Sequence, residues 1–314
     1  MTHKQLPIAV YYEHQDWFRP LFAELDRRRV PYLKVDARCH SYDLHSQAKE
    51  FSLFFNRMSA SAYLRGNWQG IFFTLNYLAQ LEKTGIRVIN GSKAFALEIS
   101  KAAQLSLLQS LEIPSPRSRV INCASETKRA AAEMGFPLIV KPNTGGRGAG
   151  IVRLNSGDDL DRAVSGGQIN LGIDHTALVQ EFIPASGKHI VRVEMMGGKF
   201  LYAIKVFTSG ENFNLCPVEL CQTEHPTTCL ADAPKTRRKV EPFTPPPSVI
   251  AAAEKIVGAA EIDVGGVEYI VDDRDGRLLF YDINALSNFV ADAPQILGFD
   301  PHARLVDYIE QERI

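Results

Sequence analysis

No apolar run in this 314-residue chain approaches the ~20 residues of a membrane-spanning helix. Charge of one sign is missing too: 35 Lys and Arg stand against 36 Asp and Glu, for a formal net charge of −1. The first lack argues against a membrane protein, and the second removes the broad basic field that draws in nucleic acid or anionic lipid. Neither partner is expected. Cysteine is scarce, with five residues and no C-x-x-C pair. An odd, scattered set does not build a disulfide framework and fits a reducing, cytoplasmic setting. The N-terminal "MTHKQLPIAVYYEHQDW" lacks the apolar core and small-residue cleavage pattern of a signal peptide. No internal repeat is evident. What is present, 45% hydrophobic and 23% charged residues, is the composition of a globular protein with room for two or three lobes.

In the N-terminal part, "PIAVYY", "DWFRPLFAELDRRR", "PYLKVDA", "LFFNRM", "GIFFTLNYLAQLEKTG" and "RVIN" alternate short apolar runs with amphipathic ones. That pattern predicts strands interleaved with helices in a largely parallel α/β sheet over residues 1–95. Gly85 reads as a helix C-cap. A helix from about Ala94 to Leu111 then meets Pro114 and Pro116, which force an extended exit. A small second lobe is expected within 96–182, its body running from Ile113 to about Val179. The remainder, 183–314, carries antiparallel signals: "HIVRVEMMGGKFLYAIKVF" turns at Gly197-Gly198, and "GVEYIVDDRDGRLLFYDIN" turns at Asp275-Gly276. Helices are expected in "PSVIAAAEKIVGAAE" and "PHARLVDYIEQER". A long polar, proline-rich loop separates the two hairpins.

The stretch "FPLIVKPNTGGRGAGIVRL" packs four glycines into residues 145–150, with Lys141 ahead of them. In a Walker A loop the lysine follows the last glycine; here Ile151 and Val152 do. In the dinucleotide fingerprint a third small residue would stand at 151 and a helix would follow, and neither holds. What remains is a glycine-rich flap between two antiparallel strands. Its amides are able to approach phosphate oxygens closely, with the Lys141 ammonium beneath. A glycine-rich hairpin with an incidental lysine fits these residues equally well.

Near the C-terminus, Asp282 and Asn284 share one strand face, and the Asp275-Gly276 turn folds that strand back beside Glu268. Three oxygen donors then converge, the ligand type that Mg²⁺ favours. An ordinary polar hairpin surface is the competing explanation.

Read in order, "NGSKAFALEISKAAQLSLLQSLEIPSPRSRVI", the glycine stretch, "LVQEFIPASGKHIVRVEMMGGKFLYAIK" and "GGVEYIVDDRDGRLLFYDINALSN" resemble the ATP-grasp ligases, in the branch of the RimK-like and glutathione-synthetase-like enzymes. The resemblance covers about residues 88–295, and the N-terminal region looks like the pre-grasp domain. It implies an ATP-grasp fold of mixed α/β (α+β) class: a parallel pre-grasp domain and two grasping lobes with antiparallel sheets. It also implies an ADP-forming ligase that joins a small-molecule or peptide carboxylate to an amine through an acylphosphate. The cofactors would be ATP and Mg²⁺, two ions, with Mn²⁺ as a substitute. A homodimer and a homotetramer both stay open. A regulatory nucleotide-binding protein and a phosphotransferase on the same fold are the alternatives.

The resemblance assigns roles residue by residue. Lys101 and Lys141 are the phosphate-binding lysines, and Gly145, Gly146, Gly148 and Gly150 form the flap. Gln180, Glu181, Phe182 and Ile183 hold adenine, with Asn214 at the nucleotide or metal; the acidic residue that the family commonly sets at the ribose is Ile190 here, so Lys188 is the candidate for that place. Glu268, Asp282 and Asn284 ligate the metal, although the family usually has Glu where Asp282 stands. Arg192 and Lys205 neutralise the transferring phosphoryl group, Arg192 also meeting substrate. Arg57, after an N-terminal strand, is a candidate clamp for a substrate carboxylate, with a structural ion pair as the competing reading. Cys216, Cys221, His225 and Cys229 lack the spacing of a zinc knuckle, so a substrate-facing loop is expected there instead.

Overall fold

The computed structural model describes residues 6–46, 50–146, 148–207 and 239–313. Three sheets organise them. The first is fully parallel: β1 (Ile8–Tyr12), β2 (Tyr32–Asp36), β3 (Leu53–Arg57) and β4 (Arg87–Ile89), in the order β2-β1-β3-β4. Helices α1 (Arg19–Arg28) and α2 (Trp68–Lys83) provide the crossovers. β1 and β3 are buried along their whole length, which is why both read as unbroken apolar runs.

The second sheet is antiparallel, ordered β5-β8-β6-β7 from Ser118–Ile121, Ala177–Glu181, Leu138–Pro142 and Val152–Leu154. Helices α5 (Glu126–Met134) and α6 (Gly157–Ser165) close its core around Ala130, Leu138, Val140, Leu160 and Val179. The third sheet runs β11-β10-β9-β12-β13, from Val240–Phe243, Lys199–Phe207, His189–Met196, Val264–Val271 and Leu278–Asn284. Both expected hairpins are present. Strand β11 falls in the stretch read as loop; its Pro242 is tolerated because the strand lies at the sheet edge. Helix α7 (Pro247–Ala260) packs Ala253, Ile256 and Val257 on one face of this sheet. The other face joins α9 (Pro301–Glu312) and the parallel sheet in a shared core that includes Val10, Leu53, Ile190, Ile204 and Leu305. Short helix α8 (Ala293–Leu297) precedes α9.

One expected element divides. The helix drawn from Ala94 to Leu111 is two helices, α3 (Ser92–Glu98) and α4 (Lys101–Ser110). Ser100 adopts an extended conformation and its hydroxyl accepts from the Ala103 N–H, so a new N-terminus starts there. Asn143, far away in sequence, supplies its side-chain oxygen to the Ala102 N–H at 2.8 Å. The break turns Lys101 from a mid-helix surface residue into the first residue of α4.

Candidate active site

Strands β9, β12 and β13 set the site by register. Glu268 pairs with Arg192 on one side and Asp282 on the other, so these three side chains form a row across the sheet. The next row on that face holds Glu194, Gly266 and Asn284. A register shift after Glu268 inserts Tyr281, which turns into the same cavity and donates to Glu268 Oε2 at 2.7 Å. Arg192 is held firmly: its Nε donates to Glu194 Oε1 at 2.6 Å and Nη2 to Ser287 Oγ at 2.7 Å, and Nη1 lies 3.6 Å from Glu268 Oε1. Ser287 in turn donates to Glu194 Oε2.

Above this row the two lysines converge. Lys101 forms an ion pair with Asp282. Burial works against its charge, but Asp282 outweighs it and the ammonium is held above its ordinary range. Lys141 is 4% exposed and has no ion pair among the described residues. Burial, aided by the neighbouring Lys101 charge, pushes it down to about 7. Glu268 is pushed up to about 7 by burial and by the Asp282 carboxylate beside it, while Lys101 and Lys141 keep Asp282 low. Two facing carboxylates, one forced toward its neutral form by the other, are a donor set that fits a divalent cation. Asn284 donates its amide nitrogen to Asp282 Oδ2 at 3.2 Å, which leaves its oxygen as a further donor.

The flap closes one side of a cavity of about 300 Å³. Gly145, Gly146 and Gly148 line it, and a Cβ on Gly146 would stand 3.3 Å from the Ser61 side chain. Gln180, Glu181, Phe182 and Ile183 line another part of the wall. Of these, the Gln180 amide donates to Ser118 Oγ at 3.0 Å and the Glu181 carboxylate accepts from the Arg117 N–H at 2.8 Å. Those side chains are anchored, so the wall is stiff. The segments that follow β1 and β3 contribute Trp17, Ser59, Ala60 and Ser61.

Residues 99–215 match the RimK-like ATP-grasp domain. Across 98% of this chain and all of the other, the structure superposes on the ATP-grasp ligase PsnB complexed with minimal precursor, with a TM-score of 0.68 at 18% identity. The fold is ATP-grasp.

A RimK domain ATP-grasp protein from Sphaerobacter thermophilus aligns over 96% of this chain and 98% of its own, with a TM-score of 0.68 at 20% identity. In sequence, D-alanine–D-alanine ligase of Pseudomonas putida is 37% identical over 94 residues, 30% of this chain and 29% of the relative. The carbamoyl phosphate synthase large chain of Thermus thermophilus is 27% identical over 228 residues, 70% of this chain and 20% of the relative. The matched stretches thus span less than a third of these two curated relatives.

The ATP-grasp cavity does not gather every expected residue. Lys205 is a correction: it pairs with Val191, on the sheet face away from Arg192, and its ammonium lies 4.7 Å from the Phe243 ring centroid. A two-residue hairpin would have paired it with Ile190, on the site's face. The irregularity between Phe200 and Tyr202 shifts the register by one and flips it. Lys188 is exposed and outside the lining. Gly150 is also outside it; its φ of +73° and a Cβ position 3.1 Å from Pro142 Cγ give it a packing reason. Arg57 lies just beyond the lining, buried, donating to the Ser287 carbonyl at 2.6 Å and to Asn288 Oδ1 at 3.3 Å. Asn214, Cys216, Cys221, His225 and Cys229 lie outside the described residues.

Other residues in and around this cavity were not anticipated. Glu98 lines the cavity, accepts from the Ala285 and Leu286 N–H groups at 2.7 and 3.1 Å, and is pushed up to about 7 by burial. Glu194, Ser287, Tyr281 and Trp17 are among the others. Only Glu194 left a local trace, two residues after Arg192 on the same strand face. The others arrive through long-range packing. Among the described residues, no helix is long and apolar enough to cross a membrane.

Proposed function

We propose that the protein is an ATP-dependent ligase that joins a carboxylate to an amine, with ADP and phosphate as products. The observation that carries this reading is the convergence of Lys101, Lys141, Arg192, Glu268, Asp282 and Asn284 in or around one flap-covered cavity. The relatives' own names, a D-alanine–D-alanine ligase and an ATP-grasp ligase with a precursor, support the reaction class and a small-molecule or peptide acceptor.

In this reading adenine sits against residues 180–183, and the triphosphate runs over Lys101 and Lys141 beneath Gly145, Gly146 and Gly148. Glu268, Asp282 and Asn284 would hold Mg²⁺, or Mn²⁺ in its place, and two ions are the expected complement. A bound divalent ion supplies charge neutralisation for the β- and γ-phosphates. The substrate carboxylate oxygen attacks the γ-phosphorus while the bond to the β-bridging oxygen breaks. ADP carries away that electron pair. Arg192 faces the charge that develops on the transferring group. The amine then attacks the acyl carbon, the acyl C–O bond breaks, phosphate leaves, and the amine gives up a proton. The flap excludes the water that would hydrolyse the acylphosphate.

The test is a reaction with ATP, Mg²⁺ and pooled metabolites, followed by mass spectrometry for a product equal to two metabolites less one water, with ADP release dependent on both. AMP and pyrophosphate as products would sink the reading. A phosphorylated product formed without an amine would make the protein a phosphotransferase. The Lys101–Asp282 ion pair, which occupies one expected metal donor, favours a second reading as a nucleotide-binding regulator. That protein would bind Mg·ATP and show no turnover.

A further inference from the structure

At the substrate end of the cavity, β1 and β3 are neighbours while the chain leaves them toward opposite edges of the sheet. Such a switch point, at the carboxyl ends of parallel strands, is where open α/β sheets receive ligands. Trp17 follows β1, and Arg57 is the last residue of β3. Both are nearly inaccessible, at 7% and 4% exposure.

Their hydrogen-bonding capacity is unfilled. Arg57 spends its Nη2 on the Ser287 carbonyl and Asn288 Oδ1, while Nε and Nη1 are buried without a hydrogen-bond partner among the described residues. Trp17 Nε1 is buried and equally unpartnered. Asn288 lines the cavity, and because its oxygen accepts from Arg57, its amide hydrogens are the group it has left to offer. The open positions on Arg57, Trp17 and Asn288 are therefore donors.

The Arg57 charge also lacks a direct ion pair among the described residues, with Glu98 and Glu194 acting on it only from a distance. The Arg57 Cζ lies 5.1 and 5.2 Å from the ring centroids of Phe18 and Phe55. The two nearby carboxylates are committed elsewhere: Glu194 to Arg192 and Ser287, and Glu98 to the backbone at 285 and 286. Burying a guanidinium without a counter-ion is costly, and leaving two of its N–H groups unmet adds to the cost. An anionic oxygen pair removes both penalties at once.

We propose that this corner is a subsite for a carboxylate that is not itself activated, so that the substrate carries a second anionic group, read by Arg57 with Trp17 and Asn288. The inference rests on the ligase reading for the place of ATP but is tested separately from it. The second carboxylate stays chemically unchanged. It fixes which end of the substrate faces the γ-phosphate and satisfies a positive charge that the fold buries in advance.

The experiment is calorimetric titration of the full chain, loaded with Mg·AMP-PNP, with matched pairs that differ by one charge: succinate against succinamate, and glutamate against glutamine. At least one dicarboxylate member should bind about tenfold or more tightly than its amide. Arg57→Met should erase that preference and leave AMP-PNP affinity within about twofold, and Arg57→Lys, as the folded control, should retain part of it. Equal affinity within each pair overturns the proposal, as does a preference that survives in Arg57→Met. Failure of the wild type to bind AMP-PNP counts against the ligase reading. Nucleotide binding without discrimination within the pairs counts against the subsite alone.

Discussion

A Cβ at Gly266 would stand 3.1 Å from Glu194 Oε2 and 3.2 Å from its carboxyl carbon. The glycine is what lets that carboxylate lie flat across β12 and grip Arg192. Gly266→Ala should therefore displace Glu194 and release the guanidinium. The expected loss in kcat is about 10- to 100-fold, with nucleotide affinity little changed. Glu194→Ala should cost a similar amount in the wild type and little more in an Arg192→Ala background, because both act through one group. Steady-state ADP formation on the four members of that cycle checks this; additive losses would show that Glu194 acts independently.

Lys141 gives a pH signature. In the free protein its ammonium titrates at about 7, whereas a bound triphosphate favours the charged form. Binding above that pH must then take up a proton, so affinity falls as pH rises. The slope approaches tenfold per unit. AMP-PNP titrations between pH 6 and 9 should show flat binding at the low end and a decline above about 7. Lys141→Arg, charged throughout, should flatten the profile.

The Lys101–Asp282 ion pair must open for Asp282 to serve a cation. Asp282→Asn should abolish most of the Mg²⁺-dependent gain in AMP-PNP affinity, a loss of at least about tenfold. Lys101→Met should weaken binding in the absence of metal as well. Titrations with Mg²⁺ and with EDTA separate the two effects; an unchanged Mg²⁺ dependence in Asp282→Asn would remove that residue from the metal site.

Asn90 predicts a stability effect. It is 1% exposed, with φ of 55°, and its side chain accepts from the Asp263 and Val264 N–H groups while donating to the Val264 and Ala285 carbonyls. Asn90→Ala would strand several buried backbone groups. A loss of about 3 kcal/mol follows, measurable by urea unfolding, and a change within about 0.5 kcal/mol would refute it.

Much of this protein was legible without coordinates, and the legible parts were local. The alternation of apolar and amphipathic runs announced the parallel sheet. Gly197-Gly198 and Asp275-Gly276 announced two hairpins, and the shared strand face of Asp282 and Asn284, on a strand folded back beside Glu268, followed from period-two geometry; only the register shift at Tyr281 sets Asp282 directly opposite Glu268. Lys141 ahead of its glycines excluded a Walker A loop, and Ile151 with no helix after it excluded the dinucleotide fingerprint. These features depend on neighbours a few residues apart, and backbone geometry at that range is strongly constrained.

Tertiary structure decided the rest. One inserted residue between Phe200 and Tyr202 sends Lys205 to the far face of its sheet, because side chains alternate with a period of two and a one-residue slip inverts every position beyond it. Asn143, 41 residues beyond Ala102 along the chain, helps start α4 beside Lys101. Arg57, read from sequence as a carboxylate clamp or a partner in a structural ion pair, is a buried cation with no ion pair among the described residues. Sequence determined which chemical groups the chain carries and their spacing along each strand. Register, burial and contact between lobes determined which of those groups share a cavity, since each depends on packing between segments that no local pattern describes.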